Sequence, residues 1–150
     1  SDQVALILDG RLAQFGSAES VFQRPRTLAV ARFFGLRNVV VGRAHGGVFT
    51  SALGPLRHPA TEVEGNVTLV LRPDAISLGP GPNNTLDATL LARSYMGTQT
   101  QLRLQVGAVV LEALVPPDRA AGLAIGAAQQ IHVPPEAIWL LPLEKDQGHD

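Results

Sequence analysis

Two small groups of polar residues carry whatever chemistry this chain can offer. Arg93, Arg103 and Thr100 place guanidinium and hydroxyl groups on strand-like segments. Such groups can hold a small oxyanion or a metal chelate, because a guanidinium presents paired N–H donors in a fixed fork. Solvated strand faces are the plainer reading of the same residues. The second group is Arg72-Pro73-Asp74. Proline pushes the residue before it toward extended backbone and withholds a ladder donor, so strand pairing stops there. Asp74 can cap the turn that follows. Arg72 then either staples that turn through Asp74 or serves a subunit interface or an anion. Gly97, which suits a turn needing positive φ, and Thr98 complete the set of interface or regulatory candidates: Arg72, Asp74, Gly97 and Thr98.

Other chemistries find no support. His45, His58, His132 and His149 are scattered without metal-ligand spacing. The chain has no cysteine, which removes disulfides, thiolate zinc and cysteine nucleophiles. No G-x-x-x-x-G-K-[ST] phosphate loop and no acidic strand end for magnesium are present. No hydroxyl has a convincing His and Asp partnership. The expectation is therefore no catalytic residue, no metal site and no cofactor in these residues. Nucleic-acid binding is disfavoured too, since it needs stacking aromatics along a basic groove. The second half offers few aromatics and an acidic balance: residues 58–150 hold five basic and ten acidic residues, against seven arginines and three acids in 1–57.

The elements that must position these residues are short. Gly 15 and Pro 11 in 150 residues favour turns and strands over long helices, and 45% hydrophobic content allows a real core. No apolar run approaches the roughly 20 residues of a transmembrane helix, and no secretory signal pattern opens the chain. Val4 to Leu8 is a continuous apolar run that suits a strand buried on both faces. Asp9-Gly10 signals a tight hairpin turn, with Arg11 to Phe15 returning. Val4, Leu6 and Leu8 are then candidates for core residues without a core. Ser17 and Thr27 can cap two short helices, the second ending near Gly35. From Asn38 onward the pattern is strands and turns, with Gly54-Pro55 as a break. Thr100, Leu102, Leu104 and Val106 alternate with Gln101, Arg103 and Gln105, a half-buried strand. Many short strands at this spacing point to a small barrel. The reading divides the chain into a hairpin (1–16), a helical linker (17–37), a barrel (38–143) and a frayed tail (144–150).

Two stretches carry a resemblance. Asp2, Gly10-Arg11, Gln14, Gly16, Phe22, Pro25, Val30-Ala31, Phe33 and Gly35 fall in register on the seam of ABC importer ATPase subunits, where the nucleotide-binding domain ends and a C-terminal domain begins. Val70-Leu71-Arg72-Pro73-Asp74-Ala75-Ile76, Tyr95-Met96-Gly97-Thr98-Gln99-Thr100 and Val133-Pro134-Pro135-Glu136-Ala137-Ile138-Trp139-Leu140-Leu141 resemble, in order, the signatures of a TOBE domain. That domain is an OB-like β-barrel appended to importer ATPases for maltose-type sugars, polyamines, sulfate, molybdate and ferric iron. The resemblance implies a mainly β fold, a small OB-like barrel preceded by a β-hairpin and two short helices. It implies a regulatory and dimerising role behind an ATPase domain, with ATP and magnesium belonging to the intact parent. The implied partners are a second copy, membrane-spanning permease subunits reached through the ATPase domain, and a possible small-molecule effector. The implied location is cytoplasmic, peripheral on the inner face of the cell membrane. The Phe33 to Asn38 segment is more similar to ferric-iron, polyamine or molybdate members than to maltose-type ones. A small-ligand-sensing barrel is the alternative function.

Overall fold

A computed structural model describes residues 3–143; the tail expected over 144–150 lies outside the described residues. Strands β1 (Gln3–Leu8) and β2 (Arg11–Ser17) pair antiparallel. Their turn has positive φ at both Asp9 (53°) and Gly10 (75°), as the Asp-Gly pair predicts. Helix α1 (Ala18–Gln23) starts at Ser17, whose hydroxyl accepts from Ser20 N–H; α2 (Leu28–Phe33) starts at Thr27, whose hydroxyl accepts from Val30 N–H. Gly35, at φ 76°, ends the second helix.

The remaining strands form two five-stranded antiparallel sheets. One has the order β12-β6-β3-β4-β5, from β3 (Asn38–His45), β4 (Val48–Ser51), β5 (Gly54–Arg57), β6 (Gly65–Leu71) and β12 (Trp139–Pro142). The other has the order β10-β9-β8-β11-β7, from β7 (Ser77–Leu78), β8 (Thr85–Tyr95), β9 (Thr100–Val106), β10 (Val109–Val115) and β11 (Ala128–His132). One core lies between them, with Phe49, Leu69, Leu71 from the first sheet and Leu90, Leu104, Leu111, Ile131 from the second all fully buried. The mainly β, OB-like barrel behind a hairpin and two short helices is the fold the sequence implied. Short α3 (Pro117–Ala120) was not expected. Gly54-Pro55 does not break a strand: both residues lie in β5, an edge strand where proline's missing donor faces no partner.

Two asparagines join the sheets where main-chain pairing stops. Asn38 is buried, donates from Nδ2 to the Glu112 carbonyl and accepts Glu112 N–H at Oδ1, both at 2.8 Å. It thereby satisfies the edge strand β10 from the other sheet. Asn84, at φ 58°, holds Arg57 N–H and C=O at 2.7 and 2.8 Å and also donates to the Val133 carbonyl. An unpaired main-chain group away from water costs about 1–3 kcal/mol, so buried Asn38 stands in for a missing strand neighbour of Glu112.

The segments around Arg72 and Glu136 are built alike. Pro73–Ala75 and Pro135–Ala137 are single 3₁₀ turns, each followed by a buried isoleucine, Ile76 and Ile138. Proline leads each turn, where its missing donor costs nothing.

The hairpin and helices are packed on this barrel. Leu6, Val21 and Val30 bury together with Leu8, Ala13 and Phe34. Ala31, Leu36, Val70 and Leu141 form the next layer, again with Phe34 and with Trp139. Phe34 thus touches both clusters and also meets the Phe22 and Phe33 rings edge-on.

Candidate functional site

The hairpin corrects one expectation directly. Val4 to Leu8 is not buried on both faces, and Leu6 is not orphaned: it is 8% exposed, covered by the helices. The opposite face is the open one. Ala5 lies across from Phe15 and Ile7 across from Leu12, with a register shift between Leu6 and Ile7. Leu12 and Phe15 are three residues apart and would face opposite sides of a regular strand. The bulge inserts Ala13 and restores them to one side. Ile7, Leu12 and Phe15 are therefore gathered on a single surface, 61%, 63% and 57% exposed.

Between hairpin and barrel runs the loop Arg24-Pro25-Arg26, held from both sides. Gln14, buried in β2, donates from Nε2 to the Arg24 carbonyl at 3.1 Å and accepts Arg26 N–H at Oε1 at 2.9 Å. The Trp139 indole N–H, from the last strand, donates to the Pro25 carbonyl at 2.6 Å. Three consecutive residues are thus tied alternately to the hairpin and the barrel. Trp139 is half-buried, packed against the Ala31, Leu36, Val70 and Leu141 cluster, with its polar edge used as a tie.

The predicted site residues fall in separate places. Arg72 Nε lies 3.6 Å from Asp74 Oδ1, with Arg72's side chain 27% exposed. The matching turn at Pro135–Ala137 closes with Pro134 where the first has Arg72. The turn therefore does not require a guanidinium there. Arg72 also lines a small cleft of about 110 Å³ with Gln23, Arg24 and Glu136, while Asp74 borders another of about 160 Å³ with Arg119. Gly97 has φ 91° in the β8–β9 turn, closed by Met96 N–H to the Gln99 carbonyl, and nothing lies within 4 Å of where its Cβ would be. Gly97 and Thr98 are exposed at this tip beside exposed Tyr95 and Met96.

Arg93, Arg103 and Thr100 are not brought together. Thr100 is buried on the core side of β9. Arg103 is exposed on the other side, across from Ala92 and Glu112. Arg93 lies across from Leu102 and donates to the Ala120 and Leu123 carbonyls, closing the end of α3.

A larger groove, about 630 Å³, was not foreseen. It lies between the 58–63 loop and β12 and is lined by Arg24, Arg26, His58, Glu136 and Trp139 among others. His58 is buried, with Nδ1 2.9 Å from the Pro59 carbonyl and Nε2 buried without a partner. A carbonyl only accepts, so Nδ1 carries the proton. A second groove of about 730 Å³ follows α2 and β3, with Arg32 and Arg37 on its wall. Among the described residues no group of three or more His, Asp or Glu could hold a metal ion, and no helix is long and apolar enough to cross a membrane.

The TOBE domain family matches residues 69–141. The chain is 29% identical over 137 residues to the molybdate/tungstate import ATP-binding protein WtpC of Pyrococcus abyssi, covering 88% of this chain and 40% of that one. It is 35% identical over 114 residues to the Fe(3+) ions import ATP-binding protein FbpC of Streptomyces coelicolor, covering 75% and 32%. The chain therefore spans a third or so of the length of these relatives. Among solved structures it is similar to the cytoplasmic molybdate-binding protein ModG with molybdate bound, at TM-score 0.62 and 17% identity, over 71% of this chain and 96% of that one; at that identity the likeness speaks for the fold. Residues 69–141 are a TOBE domain, and the chain belongs with the C-terminal regions of ABC importer ATP-binding subunits.

Proposed function

We propose that this chain is the regulatory and dimerising C-terminal part of the ATP-binding subunit of a solute importer. The hairpin completes the ATPase domain of that subunit, and the barrel pairs two subunits behind it. The observation that carries this reading is the open hairpin face of Ile7, Leu12 and Phe15, an apolar surface on a two-stranded sheet whose other side is already filled. Three large apolar side chains side by side on one exposed surface favour a partner on that side. In the parent subunit ATP and magnesium are held by the ATPase domain, and these residues take no part in hydrolysis. That subunit would act at the inner face of the membrane, docked on permease subunits. The transported solute is drawn from oxyanions, ferric ions and polyamines, the cargo named for the relatives.

The test is a chimera in which this chain replaces the matching region of the Streptomyces coelicolor relative. The expected result is a soluble protein that hydrolyses ATP and is a dimer by light scattering. A chimera that hydrolyses ATP yet stays monomeric would remove the dimerising role. Small-ligand sensing by the barrel is a second reading, favoured by the likeness to a molybdate-bound fold. A thermal-shift series with molybdate, sulfate, ferric citrate and spermidine would then show stabilisation by one of them, and no shift with any would remove it.

A further inference from the structure

We propose that the β8–β9 tip, with Tyr95 and Met96 exposed on it, is the surface through which the barrel pairs with a second copy of this chain. This names the pairing surface for the dimerising role above and rests on that reading.

The barrel is one five-stranded unit laid down twice, β3 to β7 and β8 to β12. The two sheet orders correspond strand for strand, β12-β6-β3-β4-β5 against β7-β11-β8-β9-β10. The registers correspond too. Ala44 pairs with Phe49 and Phe49 with Leu56, as Leu90 pairs with Leu104 and Leu104 with Leu111. Val40 and Leu140 flank Leu69 as Leu86 and Leu78 flank Ile131. Asn38 and Asn84 hold matching places, each clasping the edge strand of the other unit. A feature found in one unit alone is therefore not required by the barrel frame.

The second unit has two such additions. Residues 45–48 suffice between Ala44 and Phe49, whereas residues 91–103 stand between Leu90 and Leu104. Residues 58–64 join β5 to β6, whereas residues 116–127 join β10 to β11 and carry α3. The additions are fastened together. Arg93 donates to the Ala120 and Leu123 carbonyls, and Leu90 N–H and C=O bond the main chain of Ala127 and Gly126. That pairing continues β11 along β8 and sets Ile125 beside Leu91. Leu91, Tyr95, Met96 and Ile125 are all exposed, and Tyr95 at 72% is the most exposed large apolar side chain among the described residues. Apolar surface gathered on additions the barrel does not require favours a partner there.

Two observations select a second copy as that partner. The helices that follow the hairpin pack on the first sheet, against Val70, Leu141 and Trp139, whereas the tip belongs to the second sheet. The tip, Tyr95-Met96-Gly97-Thr98-Gln99-Thr100, carries no charge. A two-fold contact sets a surface against itself, and like charges facing each other oppose it, so a neutral apolar tip suits self-pairing. The contact is small, so the isolated chain should associate weakly and reversibly.

The chain has no cysteine, so one introduced at the tip reports its neighbour. An Ile7→Lys background keeps the open hairpin face from supplying the contact. In it, Met96→Cys should form a disulfide-linked dimer at about 0.1 mM under mild oxidant, well ahead of Asp87→Cys, which is exposed elsewhere on β8. The double variant Tyr95→Ser/Met96→Ser should keep its thermal midpoint and associate at least about tenfold more weakly by sedimentation, the effect of losing a central aromatic anchor. No excess of cross-linking at residue 96 over residue 87, or equal association of the double variant, would overturn the tip as the pairing surface. The chimera described above separates the two readings. A chimera that is dimeric with and without the double variant removes the tip and leaves the dimerising role. One that hydrolyses ATP as a monomer removes the role, and the tip with it.

Discussion

Replacing Gln14 by Leu removes both bonds that hold the Arg24-Pro25-Arg26 loop to the hairpin. A typical hydrogen bond contributes about 1 kcal/mol net, so two partly buried ones come to about 2 kcal/mol. Trp139→Phe removes the Pro25 tie alone, about 1 kcal/mol. If the loop is one unit held at two ends, releasing either end devalues the other. The double variant should then lose less than the sum of about 3 kcal/mol, by about 0.5 kcal/mol or more. Urea unfolding followed by circular dichroism is the assay, since Trp139→Phe removes the only tryptophan. A 2 kcal/mol loss lowers the thermal midpoint by about 4–8 °C for a chain of this size. Hydrogen exchange gives a local check. Arg26 N–H donates to Gln14 Oε1, so its protection should fall by up to about thirtyfold in Gln14→Leu. Strict additivity of the two variants, or unchanged Arg26 exchange, would refute the joint hold on this loop.

Three further outcomes follow from the coordinates. Gly42→Ala places a Cβ 2.5 Å from the Thr50 carbonyl and 2.6 Å from the Phe49 ring, and should cost about 3 kcal/mol in urea unfolding; Gly97→Ala meets nothing within 4 Å and should cost only the backbone term of about 1 kcal/mol. Asn38→Asp keeps the acceptor for Glu112 N–H but turns a second oxygen toward the Glu112 carbonyl. The protonated acid can donate there, so its folded pKa rises above the unfolded value of about 3.9. Protonation then supports the fold at low pH, and stability relative to the parent chain should fall as pH climbs from about 4, by about 3 kcal/mol in all; a pH-independent difference would contradict this. Ile7→Lys lies on the open hairpin face and should leave the unfolding free energy within about 0.5 kcal/mol while reducing binding of an apolar dye.

Local chemistry made much of this fold legible. Asp9-Gly10, Ser17, Thr27 and Gly35 act through their own backbone neighbours, so a short window suffices to read them. The alternation from Thr100 to Val106 names its buried side for the same reason. The hairpin misled because a continuous apolar run looks the same whether both of its faces are covered or only one. Asn38 carries no local signal at all: its partner, Glu112, is 74 residues away. His58 was read as one of four scattered histidines, and only the folded 58–63 loop brings it beside Arg24 and Trp139. Arg93, Arg103 and Thr100 were grouped by polarity, yet strand parity sets Thr100 and Arg103 on opposite faces, and α3, itself unforeseen, takes up Arg93.

The most direct test of the account compares hydrogen exchange across β1 and β2 in the isolated chain and in the chimera with the ATPase part of the ferric-ion relative. If the open face seats on that domain, protection of the main chain around Ile7, Leu12 and Phe15 should rise strongly in the chimera while that of the barrel core strand β9 stays the same. Equal exchange of the hairpin in both proteins, in a chimera that hydrolyses ATP, would contradict it.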